Sequence, residues 1–204
     1  MRSILKLLVF AAFSCLFLLQ AVVSAQTPTK TPDEKSTLQQ TLRNLEVEFP
    51  EIEGWEKSDV QKYPTEALGY SINYESREGG RVTVYVYDAG LKTIPNDITS
   101  NVLKNEINKA KGEIQAVAKR GLYQNVKEVK DETTTIGGKT GKIKALHSLF
   151  DLSAGGRDLT SEIFLFPYQN KFIKIRATRL RDKEGVENKS LITLFSELDE
   201  FFSM

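Results

Sequence analysis

Apolar residues recur along this chain first as one dense block, then at helical spacing, then in alternation. The block from Leu7 to Leu19 carries no charge, follows Arg2 and Lys6, and leads into Val23-Ser24-Ala25. That is the pattern of a secretory signal peptide, with cleavage expected after Ala25. The block is shorter than the roughly 20 residues that a spanning helix needs, so no stable membrane span is expected after cleavage. Cys15 lies in mid-block behind Ala12-Phe13-Ser14, without the leucine that a lipid-attachment site places three residues upstream, so lipidation is not expected. Residues 26–36, polar and proline-bearing, read as a tether. Leu38, Leu42, Leu45 and Phe49 then fall at helical spacing, which predicts a short helix over Thr37–Phe49, ending before Pro50.

From there the period changes to two. A strand is expected around Glu56 to Tyr63. Tyr70, Ile72 and Tyr74 alternate with Ser71 and Asn73, Glu78-Gly79-Gly80 supplies a turn, and Val82, Val84 and Val86 alternate with Thr83, Tyr85 and Tyr87: a hairpin. Pro95-Asn96-Asp97 opens a long helix whose stripe holds Ile98, Val102, Ile107, Ala110, Ile114 and Val117, with Lys104, Asn105, Lys109 and Glu113 off it, closed by Gly121. Four further strands are expected over Val126–Thr135, Lys142–Asp151, Asp158–Phe166 and Lys171–Leu180. Short turns containing Gly137-Gly138, Ala154-Gly155-Gly156 and Tyr168-Gln169-Asn170 separate them, which makes neighbours antiparallel. Ile163 to Phe166 is apolar on both faces, as in a central strand. Leu191, Leu194, Phe195, Leu198, Phe201 and Phe202 form the apolar face of a last helix. The expected fold is therefore a single α+β domain over 37–204, an antiparallel sheet of about six to seven strands packed with one long central helix and a C-terminal helix.

This element order resembles the PsbP and Mog1 group of folds, in which helices sandwich an antiparallel sheet. Residues 69–90, GYSINYESREGGRVTVYVYDAG, are similar to a hairpin of small exported bacterial proteins. The resemblance implies a layered sandwich and an accessory or adaptor role, and carries no functional residue with it.

Charge and composition narrow the chemistry. The chain has 28 basic and 27 acidic residues. Losing Arg2 and Lys6 with the signal peptide leaves 26 against 27, which gives no steering toward nucleic acid. Losing Cys15 removes the only cysteine, so the mature chain has no disulfide, thiol nucleophile or thiolate ligand. At about 179 residues it is long enough to be held by its core alone. Gly138-Lys139-Thr140 imitates the end of a phosphate-binding loop, but Thr133 stands where the first glycine belongs and a strand comes next in place of a helix, so a hairpin turn is expected. No cofactor is implied.

His147 is the only histidine. It could serve a hydrolase as base with a sequence-distant serine or carboxylate, although no glycine-x-serine-x-glycine elbow is present. It shares parity with Ile143 and Ala145, which also suits a core-edge histidine satisfied locally. No metal site is expected, since one imidazole would have to act with carboxylates alone, and calcium-loop spacing does not occur. Asp131-Glu132 and Asp199-Glu200 read as solvated surface pairs, and Asn188-Lys189-Ser190 as a sequon or the start of the last helix.

One surface stands out. If Val82, Val84, Val86, Ile143, Ala145, Ile173, Ile175 and Ala177 face the long helix, then Tyr85, Tyr87, Lys142, Lys144, Lys174 and Arg176 share the opposite, basic face. Such a face could receive an anionic ligand, a protein or an envelope component. Alternatively the basic stems lie over the sheet with their heads in water. The sequence thus points to an exported, non-catalytic binding or accessory domain, periplasmic or secreted. A hydrolase using His147 and an envelope assembly subunit are the alternatives.

Overall fold

A computed structural model describes residues 48–77, 79–137, 140–181 and 189–204. The expected signal peptide, tether and most of the helix over Thr37–Phe49 lie outside these, as does Asn188 of the sequon. Two compact units divide between Phe49 and Pro50, and the second, Pro50–Met204, holds the whole sheet and both of its helices.

This unit is α+β, with an open antiparallel sheet of eight strands and two helices. In chain order the elements are β1 (Trp55–Lys57), β2 (Gln61–Lys62), β3 (Tyr70–Ser76), β4 (Arg81–Tyr87), α1 (Asn101–Lys119), β5 (Gln124–Thr135), β6 (Lys144–Ala154), β7 (Arg157–Tyr168), β8 (Lys171–Leu180) and α2 (Lys189–Ser203). Sheet order is β1-β3-β4-β8-β7-β6-β5, with β2 also paired to β3. Consecutive antiparallel pairing makes β5 to β8 a meander, and β8 then pairs with β4, which joins the first hairpin to the second half. There are eight strands because the segment expected as one strand from 56 to 63 splits into β1 and β2, both pairing with β3.

Gly69 shows how tightly the β3–β4 end is built. Its φ is +60°, and a Cβ there would stand 1.9 Å from the carbonyl oxygen of Val86, so no other residue fits without moving backbone.

α1 begins later than its pattern suggests. Pro95 to Thr99 form a loop in which Asp97 accepts from the Thr99 amide, and Ser100 caps the helix by accepting from Leu103 N. The face it buries holds Leu103, Glu106, Ile107, Ala110, Ile114 and Val117, so Ile98 precedes the helix and a glutamate enters the stripe.

Register settles the two faces of the sheet. Val84, Ile175, Phe164 and His147 lie in one line across β4, β8, β7 and β6, while Tyr85, Lys174, Leu165 and Leu146 lie in the next. Adjacent lines face opposite sides. The first side receives α2: Phe195 stands edge-on to Phe164, Phe202 to Phe166, and Leu191 approaches Val82 and Ala177. The second receives α1, where Leu103 and Ile107 pack with Tyr87, Leu165 and Phe172. The expected facing is therefore reversed. Val82, Val84, Val86, Ile173, Ile175 and Ala177 lie on the α2 side, and the tyrosine-bearing face lies beneath α1. The physical reason is complementarity: the face carrying Val82, Val84, Val86, Ile173, Ile175, Phe164 and Phe166 takes the more apolar helix, its one buried carboxylate, Glu162, being matched by His147 and Arg179, and the face carrying Tyr87 and Lys174 takes the helix that buries a glutamate.

Asp199 is a second correction. Rather than sitting in solvent it is 5% exposed, and its carboxylate accepts from Lys142 N at 2.9 and 3.0 Å and from Ile143 N at 2.8 Å. It thereby pins α2 to the β5–β6 turn, the segment that imitates a phosphate loop.

Candidate functional site

Four of the six sequence-selected residues come together on β4 and β8, on the sheet face that receives α1. Alternation on β4 turns Tyr85 and Tyr87 to the α1 side, and register sets Lys174 beside Tyr85. Lys174 is 4% exposed, its ammonium 3.2 Å from Glu113 Oε2 and over the rings of Tyr85 and Tyr87, at 4.8 and 5.6 Å from their centroids. A buried ammonium is tolerated because a carboxylate and two π faces replace its water. Tyr87 donates from its hydroxyl to Glu106 Oε1 at 2.8 Å, and Lys109 approaches the other oxygen at 3.1 Å. Burial and the neighbouring Glu106 hold the Tyr87 phenol far above its ordinary range, so it stays a donor.

Arg176 sits one position along the same face and is half-buried, one NH2 group 3.5 Å from the Tyr123 hydroxyl. Tyr85 is half-buried beside it. Burial raises the phenol pKa of both Tyr85 and Tyr123, and the Arg176 charge pulls each partway back. Further out, Thr83 donates to Asn73 Oδ1 at 2.6 Å, and the Tyr63 hydroxyl meets Ser71 Oγ at 2.9 Å. The result is a guanidinium among phenols, hydroxyls and an amide at the flank of α1. Such a set can bind a carboxylate or phosphate by charge and donated hydrogen bonds.

No protein-family model matches the chain, and neither does any curated protein.

Lys142 and Lys144 are not part of this group. Both are exposed, Lys144 beginning β6 on the α1 side and Lys142 preceding the strand with its amide on Asp199. β8 and β6 are separated by β7, which sets Lys144 apart from Lys174.

Four contributors escaped the sequence reading: Glu106, Glu113, Tyr123 and Tyr63. Glu106 and Glu113 stand seven residues apart, flanking the apolar stripe. Two carboxylates on the helical edge that meets a basic sheet face are the signal that could have found them. Tyr123 comes from the turn after α1, and nothing local marks it.

His147 lies on the other face, under α2. Its side chain is 7% exposed and stacks on Phe164 at 4.4 Å, with Nε2 3.1 Å from Glu162 Oε2. A carboxylate only accepts, so Nε2 carries the hydrogen. Burial pushes the Glu162 carboxyl upward. The His147 hydrogen bond and the Arg179 guanidinium outweigh it and hold the group below the ordinary glutamate range. Ser148, next in sequence, faces the α1 side and donates to Asp131. Among the described residues no helix is long and apolar enough to cross a membrane.

Proposed function

We propose that this chain is an exported, non-catalytic binding domain that takes an anionic group at Arg176, Tyr85 and Tyr123. The supporting observation is the placement of Arg176: half-buried, with its guanidinium 3.5 Å from the Tyr123 hydroxyl and its charge acting on the Tyr85 phenol. A guanidinium offers a planar fork that fits a carboxylate or phosphate, and partial desolvation strengthens that contact. Lys174 and Tyr87 act as the floor, fixing where Tyr85 and Arg176 stand. Export rests on the N-terminal pattern of Arg2, Lys6 and Leu7–Leu19. The layered accessory-protein resemblance agrees with a role in presenting a site to an envelope component or metabolite.

The test is a thermal-stability screen of the purified chain against phosphate, citrate and galacturonate, beside Arg176→Gln. A ligand at a hundred times its dissociation constant adds about 2.7 kcal/mol of stability. The proposal expects an anion to raise the melting temperature of the native chain and not that of the variant. A shift of equal size in both would place binding elsewhere, and no shift from any anion would count against a small-anion site.

A further inference from the structure

We infer that His147 is a proton-operated clasp on the exposed edge strand β5: uncharged, its ring turns a lone pair toward the Glu132 carboxylate, and protonated it draws Glu132 in.

The geometry begins with the register. Glu132 on β5 pairs with His147 on β6, so both side chains project to the α2 side. With the hydrogen on Nε2 committed to Glu162, the uncharged ring turns the Nδ1 lone pair toward Glu132 Oε1 at 3.6 Å. Two acceptors face each other, and Nδ1 is buried with no hydrogen-bond partner among the described residues. One added proton makes Nδ1 a donor and turns that repulsion into a charge-assisted hydrogen bond. Glu132 is free to move, its side chain being 49% exposed, whereas the ring is held by Phe164.

The surrounding charges are few. From β5 come Glu132 and, 3.6 Å from its carboxylate, the Lys130 ammonium. From β7 comes Glu162, whose other oxygen is taken by Arg179 of β8. From α2, Phe195 meets the Phe164 ring, Asp199 is committed to the Lys142 and Ile143 amides, and Glu197 and Glu200 are exposed. Ala145 and Leu149, the His147 neighbours of the same parity on β6, are uncharged. A proton added here joins two carboxylates already balanced by one guanidinium and one ammonium.

What the clasp governs is the sheet edge. β5 ends the strand order, is exposed over most of its twelve residues, and is interrupted by two register shifts, between Gln124 and Lys127 and between Glu128 and Lys130. Lys111 of α1 holds Glu128 and Asp131 from the opposite side, at 2.7 Å each. Glu132 is the next residue along, where the helix clamp ends. The inference does not depend on the proposed anion site, which lies on the opposite face.

Amide hydrogen exchange on the full chain tests it, read as protection factors for residues 131–135 at pH 8.0 and pH 5.5. His147 is the only histidine in the chain, so no second imidazole can produce the effect. The expected result is a rise in protection of roughly three- to fivefold on acidification, the scale of one partly exposed ion pair. The rise should be absent in Glu132→Ala, a surface change that keeps the fold, and in His147→Gln. Protection that is flat with pH in the native chain, or that rises equally in Glu132→Ala, overturns the inference. Because Glu132→Ala decides the matter alone, a His147 variant that fails to fold does not rescue it.

Discussion

At the scale of single residues, this molecule repeatedly buries a charge and then answers it. Glu162 is the sharpest case, with His147 on one oxygen and Arg179 on the other. Its carboxyl titrates lower in the folded chain than in the unfolded one, so its contribution to stability is fully present above the ordinary glutamate value of about 4.3 and is lost as pH falls through the depressed folded value. Glu162→Gln should therefore flatten the acid limb of the stability curve and cost about 2 kcal/mol at pH 7, where it removes the Arg179 counter-charge and leaves one acceptor oxygen in place of two. Urea unfolding of both forms from pH 3 to pH 7 measures this, and parallel curves would contradict it. The histidine was legible as a core-edge residue from its parity with Ala145. Its two carboxylate neighbours were not, because Glu132 and Glu162 stand fifteen residues away on either side and only the β5–β6–β7 register brings them in.

At the scale of elements, alternation in β3 and β4, the Gly-containing turns and the bounds of β8 could all be read from the pattern, since period two and turn chemistry are local properties. Which helix covers which face is not local. Val82, Val84 and Val86 proclaim a buried face, but Tyr85, Tyr87 and Lys174 belong to another buried face, and parity cannot rank the two. The deciding residues sit on the helices: Glu106 and Glu113 on α1, against Leu191, Leu194 and Leu198 on α2. The seat of α2 likewise escaped notice, since Asp199 reads as surface until the β5–β6 turn comes to it. Asp199→Ala should cost about 2 kcal/mol, the penalty for stranding the Lys142 and Ile143 amides, and Asp199→Asn should recover part of that by keeping one acceptor. Chemical unfolding of the two variants checks the order; an Asp199→Ala chain as stable as the native one would mean that α2 is held by its apolar face alone.

At the scale of the whole molecule, the helices do different work on the two faces of one sheet. α2 closes an apolar layer around Phe164, Phe166 and Phe202. α1 closes a mixed layer, in which Lys174 and Tyr87 are matched by Glu113 and Glu106 and Arg176 stands at the flank beside Tyr123. That asymmetry is why the basic, tyrosine-bearing surface read from the sequence divides, Lys142 and Lys144 lying apart while Tyr85, Tyr87, Lys174 and Arg176 gather on β4 and β8 with Tyr123 at the Arg176 guanidinium. A chain with 28 basic and 27 acidic residues gains little from long-range steering, so the proposed recognition of an anion rests on a local fork of donors. The most direct measurement is a nuclear magnetic resonance titration with citrate, following the ring signals of the tyrosines and the guanidinium signal of Arg176. Binding at the proposed site shifts Tyr85, Tyr123 and Arg176 together, saturably and with one dissociation constant, while Tyr74 on the opposite face stays still. Saturable shifts that bypass Arg176, or shifts spread evenly over surface lysines such as Lys142 and Lys144, would contradict it.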